Sequence, residues 1–272
     1  MFLCGSSRFC NQFAHLPRAF LELRERGLSL RCELRKVLVA GVRMAQELVE
    51  QPADSALVRI EGPEGFGIDD DDACRQASCT EIIRRYYQAA VKVKKTGTGE
   101  DEVKKLELLM NQAGISPSDS PARSAALLKE ETTGLPAAAM ELPDGSVVVG
   151  KTSTLLGAAS SLLINALKKV AGIEKKTYII SDDALEPITR LKTEMLASRN
   201  PRLHSDEMLI ALSISSASDP LAAKAMECCK LLRGCDAYFS VILSAADEKL
   251  YKKLGINVLC EPKYEQHRFY HQ

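Results

Sequence analysis

An excess of either charge, a long apolar run and a paired-cysteine motif are all missing from this chain, and each absence removes a class of function. Lysine plus arginine and aspartate plus glutamate both count 36, so the formal net charge is zero. That balance argues against a broad basic face for nucleic acid. No apolar run approaches the roughly 20 residues that span a bilayer, so no membrane partner is expected. The nine cysteines are odd in number and form no Cys-x-x-Cys pair. They read as reduced thiols in a reducing compartment, hence a cytoplasmic location. Cys228, Cys229 and Cys235 come nearest to a zinc set, but neighbouring residues rarely both ligate one tetrahedral ion, and no metal is expected. There is no His-Glu-x-x-His and no recognisable Ser/His/Asp set, so nothing points to a hydrolase. No internal repeat occurs.

What is present is an ordinary soluble balance, 46 % apolar and 26 % charged, over 272 residues, enough for one large domain or two small ones. Residues 1–62 read as a partly helical N-terminal extension, with helical periodicity over 21–49. Arg8 and Arg18 precede the first acid, Glu22, and organellar targeting is the alternative reading of that segment. Gly62, Pro63, Gly65 and Gly67 mark a boundary. Residues 63–133 read as a helical subdomain. The acids Asp69 to Asp72 suit a helix first turn better than a metal, since no EF-hand spacing follows. A second helix spans 100–111, with Val103, Leu106, Leu109 and Met110 as its buried face, and a third spans 122–129.

Residues 134–264 carry the clearest pattern, with 265–272 as a tail. Runs 137–142 and 146–150 flank Pro143-Asp144-Gly145 as a hairpin. A helix over 155–171, a strand over 177–181, a helix over 183–197 and a helix from Asp206 capped by Ser205 follow. Asp219-Pro220 opens another helix. Strand 236–243, a helix opened by the capping-box-like Ser244-Ala245-Ala246-Asp247, and strand 256–260 predict a parallel, right-handed crossover. The expected fold is α/β, a mixed sheet with helices on both faces in the order hairpin-α-β-α-α-β-α-β, preceded by the helical subdomain. Cytidine-deaminase-like folds share that element order, but their His/Cys-x-Glu and Pro-Cys-x-x-Cys ligands have no counterpart at 155–160 or 181–186, so zinc-dependent deamination is not expected.

Gly65-Phe66-Gly67-Ile68 with Glu81-Ile82-Ile83-Arg84-Arg85, Glu141-Leu142-Pro143-Asp144-Gly145, Leu185-Glu186-Pro187-Ile188, residues Asp206 to Ile214, Lys253-Leu254-Gly255-Ile256 and Cys260 to Tyr264 together resemble a bacterial family, domain-of-unknown-function family 1846. The likeness covers about Gly65 to Tyr264. It implies a cytosolic protein matching the C-terminal half of much longer members, without their nucleotide-binding-like upstream half, which residues 1–62 do not resemble. Members have carried an ATP-dependent peptidase label, and the residues here give it no support.

Two groups of residues carry the expected chemistry. Gly145 to Thr152 fits Gly-x-x-x-x-Gly-Lys-Thr, the phosphate-loop spacing, with Lys151, Thr152 and Ser153 as candidate ligand contacts. Its three valines prefer an extended ladder, which argues against a loop wrapped around phosphate. Asp182, Asp183, Glu186, Lys192, His204, Asp206 and Glu207 form the second group, placed at strand ends and helix starts where α/β folds hold ligands. The expectation is a ligand-binding or self-associating module without catalysis, with no cofactor. The alternative is a nucleotide- or phosphate-dependent transferase acting on a small phosphorylated ligand. A homo-oligomer is the expected assembly.

Overall fold

The structure, a computed structural model, describes residues 71–265. The expectations for residues 1–62, for the boundary before Gly67 and for the tail from Gln266 lie outside the described residues. The chain divides into two compact units, residues 1–81 and 82–272. Of the first, the helical stretch Asp71–Glu81 is described.

Helix α1, Asp71–Thr96, ends with Lys94 and Lys95 in its last turn, where cations favour the negative end of the helix dipole. Helix α2, Glu100–Ala113, opens on three acids and closes at Gly114 with φ 65°, a left-handed position that glycine accepts without steric cost. Leu106 and Met110 are its buried residues, whereas Leu109, expected inside, is exposed. Helix α3, Pro121–Thr133, has Pro121 in its first turn and a Ser120 cap.

Strands β1 (Ala137–Glu141) and β2 (Val147–Lys151) form the expected hairpin, paired antiparallel. Then come helices α4 (Ala158–Val170), α5 (Asp182–Arg190), α6 (Ser205–Ser215) and α7 (Pro220–Glu227). Strand β3 (Asp236–Phe239), helix α8 (Ala245–Lys253) and strand β4 (Asn257–Cys260) end the described chain. Strands β3 and β4 lie side by side and parallel, as a strand–helix–strand unit with apolar strands requires. The four-stranded sheet has the order β2-β1-β3-β4, with β1 antiparallel to β3.

Alternation along the strands builds two cores, one on each face. Ala138, Met140, Ala237, Phe239 and Cys260 pack with Leu162, Leu163 and Leu167 of α4, Met208 and Leu212 of α6, and Tyr251 of α8. Ala139, Tyr238 and Leu259 turn the other way, onto Ile83 and Tyr87 of α1, Met110 of α2 and Ala122 and Ala126 of α3. Helices therefore cover both faces, and those over residues 82–133 share a core with the sheet. Each fully buried leucine of α4 contributes about 1.5–3 kcal/mol by leaving water.

One expected element is different. Residues 177–181 form no strand. The segment joins neither edge of the sheet, and its polar groups go elsewhere. The ammonium of buried Lys168 donates to the carbonyls of Lys175 and Thr177, and the amide of Ser181 donates to Ser215 Oγ at 3.0 Å. The observed order thus lacks the strand expected between the first two helices that follow the hairpin. Among the described residues no helix is long and apolar enough to cross a membrane.

Candidate functional site

The middle of Gly145 to Thr152 is extended, as its three valines suggested, and not a loop curled for phosphate. Val147 to Lys151 are strand β2, and Gly145 is the hairpin turn at φ 80°. Gly150 has a different use: a Cβ there would lie 2.3 Å from the Leu162 amide nitrogen. The glycine lets α4 close onto the strand, and extended valines leave no curl of amides for a phosphate. Lys151 is exposed at the strand end, outside the cleft described below. Ser153 closes its own turn, accepting from the Leu156 amide at 2.9 Å. Thr152 is buried, and it alone of the three lines the cleft.

That cleft lies beyond the carboxyl end of β3, where the chain leaves the sheet through Val241 to Ser244. It has a volume of about 170 Å³ and is walled by Thr152, Gly157, Ala158, Leu203, His204 and Asp247, among others. Ligand crevices in open α/β sheets occupy such positions, where neighbouring connections diverge. The first turns of α4 and α8 and the cap residue of α6 reach it.

Local chemistry sets each of those turns. Leu155 and Leu156, expected to be helical, lie before the helix: Leu155 is in a bend, Leu156 bridges to Leu203 in parallel, and the Leu203 amide donates to the Leu155 carbonyl at 2.8 Å. The Leu203 carbonyl accepts from Ser160 Oγ at 2.7 Å, and Tyr251 on α8 donates to the Ala159 carbonyl at 2.8 Å. Helix α4 therefore starts at Ala158, with Gly157 as a cap that offers no side-chain acceptor. A helix that begins without a side-chain cap leaves first-turn N–H donors for another acceptor.

Helix α6 begins one residue earlier than expected. His204, not Ser205, is its cap residue, because the Ser205 hydroxyl is committed across the cleft to Asp247. Asp247 Oδ1 accepts from the Ser205 amide at 2.8 Å and the Ser205 hydroxyl at 2.7 Å. Its Oδ2 accepts from Ser244 Oγ at 2.7 Å and pairs with His204 Nδ1 at 3.1 Å. Burial pushes the Asp247 carboxyl up, but the hydrogen bonds from His204, Ser205 and Ser244 outweigh it and hold the group below its ordinary value. The hydrogen bond to Asp247 raises the His204 imidazole above 6.5, against burial, which lowers it.

Behind His204 lies a second pair. Pro187 sits inside α5 and the backbone then widens into a π turn, Leu191–Met195, with Lys192 as its buried residue. Proline removes a helical donor, and such turns redirect side chains. Lys192 Nζ donates to the Arg202 carbonyl at 2.6 Å and to Glu207 Oε2 at 2.7 Å. The same oxygen accepts from the His204 amide at 2.7 Å. Arg202 in turn pairs with Glu265, on the cleft wall, at 3.4 Å.

The second candidate group therefore divides. Lys192, His204 and Glu207 are brought together, while Asp206 is exposed in the first turn of α6. Asp182, Asp183 and Glu186 are exposed on α5, with Asp182 beside a separate depression lined by Tyr178, Ser215 and Asp219. Asp247, the centre of the site, was legible in the sequence as the acid of Ser244-x-x-Asp247. Nothing in the sequence showed that its carboxylate would reach α6.

Two comparisons identify the relatives. The C-terminal part of the family described as a domain of unknown function, DUF1846, matches residues 118–270, and its N-terminal part matches residues 41–114. The likeness thus begins well before Gly65, and residues 41–62 belong to it, contrary to the expectation. A UPF0371 protein of Streptococcus pneumoniae serotype 19F (strain G54) is 48 % identical over 206 residues, 76 % of this chain and 42 % of the relative. A UPF0371 protein of Streptococcus thermophilus (strain ATCC BAA-491 / LMD-9) gives the same identity and coverage. The aligned segment is less than half the length of either relative. With a match over more than half its length, this chain belongs to the DUF1846 family, whose domains are of unknown function.

Proposed function

We propose that this domain is a ligand-binding module that receives a small anionic group in the cleft beyond β3. The observation that carries the reading is the first turn of α4. Gly157 and Ala158 line the cleft, no side chain caps the helix, and the small residues there let a ligand approach the backbone. His204 on the same wall supplies a titratable positive charge. At about 170 Å³ the cleft is smaller than the ~300–1,000 Å³ that encloses a drug-sized ligand. It suits a phosphoryl-sized group, the rest of any larger molecule lying outside the mouth.

Binding is favoured over turnover because the hydroxyls of Ser205 and Ser244 both donate to Asp247. Neither is arranged as a nucleophile activated by the imidazole. The phosphotransferase alternative loses Lys151 from its residue set. Titration of isotopically labelled protein with inorganic phosphate tests the reading. The amides of Ala158, Ala159 and Ser160 should shift and Lys151→Ala should not weaken the response, whereas unmoved α4 amides would refute it.

Self-association is a second reading, favoured by Ile210 and Ile214, 56 % and 53 % exposed one turn apart on α6. Exposed apolar stripes of this kind mark contact surfaces. Sedimentation should give a dimer that Ile210→Glu dissociates, and a monomer at every concentration would exclude it.

A further inference from the structure

Tyr178, Ile179 and Ile180 belong to no strand, and among the described residues their backbone N–H and C=O groups make no hydrogen bond within the chain. Their neighbours on both sides are tied down. The Thr177 carbonyl accepts from buried Lys168 at 2.6 Å, and the Ser181 amide donates to Ser215 Oγ at 3.0 Å. Ile179 is buried in the core and Ile180 packs against it, while Tyr178 is 95 % exposed. The run is short, because the chain bends at Ile180 toward α5. In an extended run, alternate residues turn their donors and acceptors to opposite edges. Thr177 and Ser181 spend theirs on Lys168 and Ser215, which leaves those of Tyr178 and Ile180 for the other edge. A depression of about 550 Å³, walled by Tyr178, Ile180, Ser215, Ser218 and Asp219, opens beside the segment.

Charge decides what fits there. Lys175 and Lys176 precede the run and Asp182 and Asp183 follow it; all four are exposed, and none is in an ion pair among the described residues. An antiparallel copy of the same segment, related by a two-fold axis at Ile179, sets Tyr178 against Ile180, Lys176 against Asp182 and Lys175 against Asp183. A parallel copy in register sets lysine against lysine. Resting on the self-association reading, we propose that residues 177–181 are a strand completed by a second copy of this chain. Tyr178 and Ile180 exchange N–H···O=C bonds across the axis, and the basic end of each run meets the acidic end of the other. The Tyr178 ring of each copy then covers Ile180 of the other, an aromatic and β-branched cross-strand pair. So short a ribbon is marginal by itself. Ile214, which precedes Ser215 on the depression wall, is 53 % exposed and adds apolar area.

Sedimentation of the full chain tests the pairing. Lys175→Glu with Lys176→Glu, and separately Asp182→Lys with Asp183→Lys, should each weaken the dimer at least about tenfold, because like charges then meet across the axis. An equimolar mixture of the two variants should dimerise again, since every facing pair is then opposite in sign. Amide exchange gives a second readout: the Tyr178 and Ile180 amides should gain protection as the chain dimerises, and the Ile179 amide should not change. Should a charge variant not fold, exchange in the unaltered chain decides alone. A dimer that Ile210→Glu dissociates, but whose Tyr178 and Ile180 amides are no better protected than in the monomer, overturns this pairing and leaves self-association standing. A mixture that stays monomeric where the unaltered chain dimerises overturns the antiparallel register. A monomer at every concentration removes self-association and this pairing with it, and protection of both amides in that monomer assigns the strand's partner to the same chain.

Discussion

Gly150 on β2 and Leu162 on α4 meet backbone to backbone: a Cβ on the glycine would fall 2.3 Å from the leucine amide nitrogen and 2.6 Å from its Cα. No flexible side chain stands at that contact to move aside. Gly150→Ala should therefore lower stability by about 3 kcal/mol, toward or beyond the upper end of the usual overpacking cost. Urea unfolding checks it. A loss below about 0.5 kcal/mol would mean the strand and helix separate more easily than this contact implies.

Asp247 accepts four hydrogen bonds, two from Ser205 and one each from Ser244 and His204. Asp247→Ala strands all four donors and should cost about 3–5 kcal/mol. Asp247→Asn keeps an acceptor for Ser205 and should cost about half as much. Equal losses for the two variants, read from denaturant midpoints, would show that the charge and not the hydrogen bonding dominates.

The pair also sets a pH dependence. His204 has a folded value raised above 6.5 by Asp247, so its contribution is fully present below about 6.5 and is lost as pH rises through the higher folded value. Asp247 lies below its ordinary 3.8, so its contribution is present above that and is lost as pH falls through the lowered value. Thermal melts should show an alkaline decline above neutrality that Asp247→Asn flattens. A variant that keeps the full decline would assign it to other groups.

Lys192 is buried and its ammonium bridges Glu207 and the Arg202 carbonyl. Lys192→Met should cost about 2–4 kcal/mol, because Glu207 is left with only the His204 amide as a partner. Adding Glu207→Gln should restore part of that loss, since the surviving group is then neutral. Additive losses in the double variant, measured by equilibrium unfolding, would show that the two side chains do not interact.

Patterning made the hairpin, the parallel pair β3–β4 and most helix starts legible, because alternation, turn residues and capping residues act within a few positions. Pro220 and its Asp219 cap, which accepts from the Leu221 amide at 2.8 Å, are an instance. Residues 177–181 misled because the same apolar run also serves an irregular segment packed on the core: Ile179 is buried there, while the Thr177 carbonyl and the Ser181 amide bond to the side chains of Lys168 and Ser215. At Gly145 to Thr152 the three valines, which favour an extended ladder, were the better guide than the phosphate-loop spacing, since that spacing also fits a strand closely packed against a helix. His204, Lys192 and Glu207 were in view as polar residues near helix starts. Asp182, Asp183 and Glu186 had the same signal and remained on the surface of α5.

Apart from residues 177–181, the order of helices and strands was written in the sequence alone, because each depends on side-chain periodicity and on caps within one turn. Membership of the site was decided by the fold. A carboxylate read as the first-turn acid of α8 became the acceptor for α6 because the two helices begin beside each other. That adjacency comes from the parallel return of the chain through β3 and β4, together with the hydrogen bonds that tie Leu203 and Tyr251 to the start of α4. Contacts between residues more than forty positions apart, such as His204 and Asp247, depend on that closure and leave no mark in local pattern.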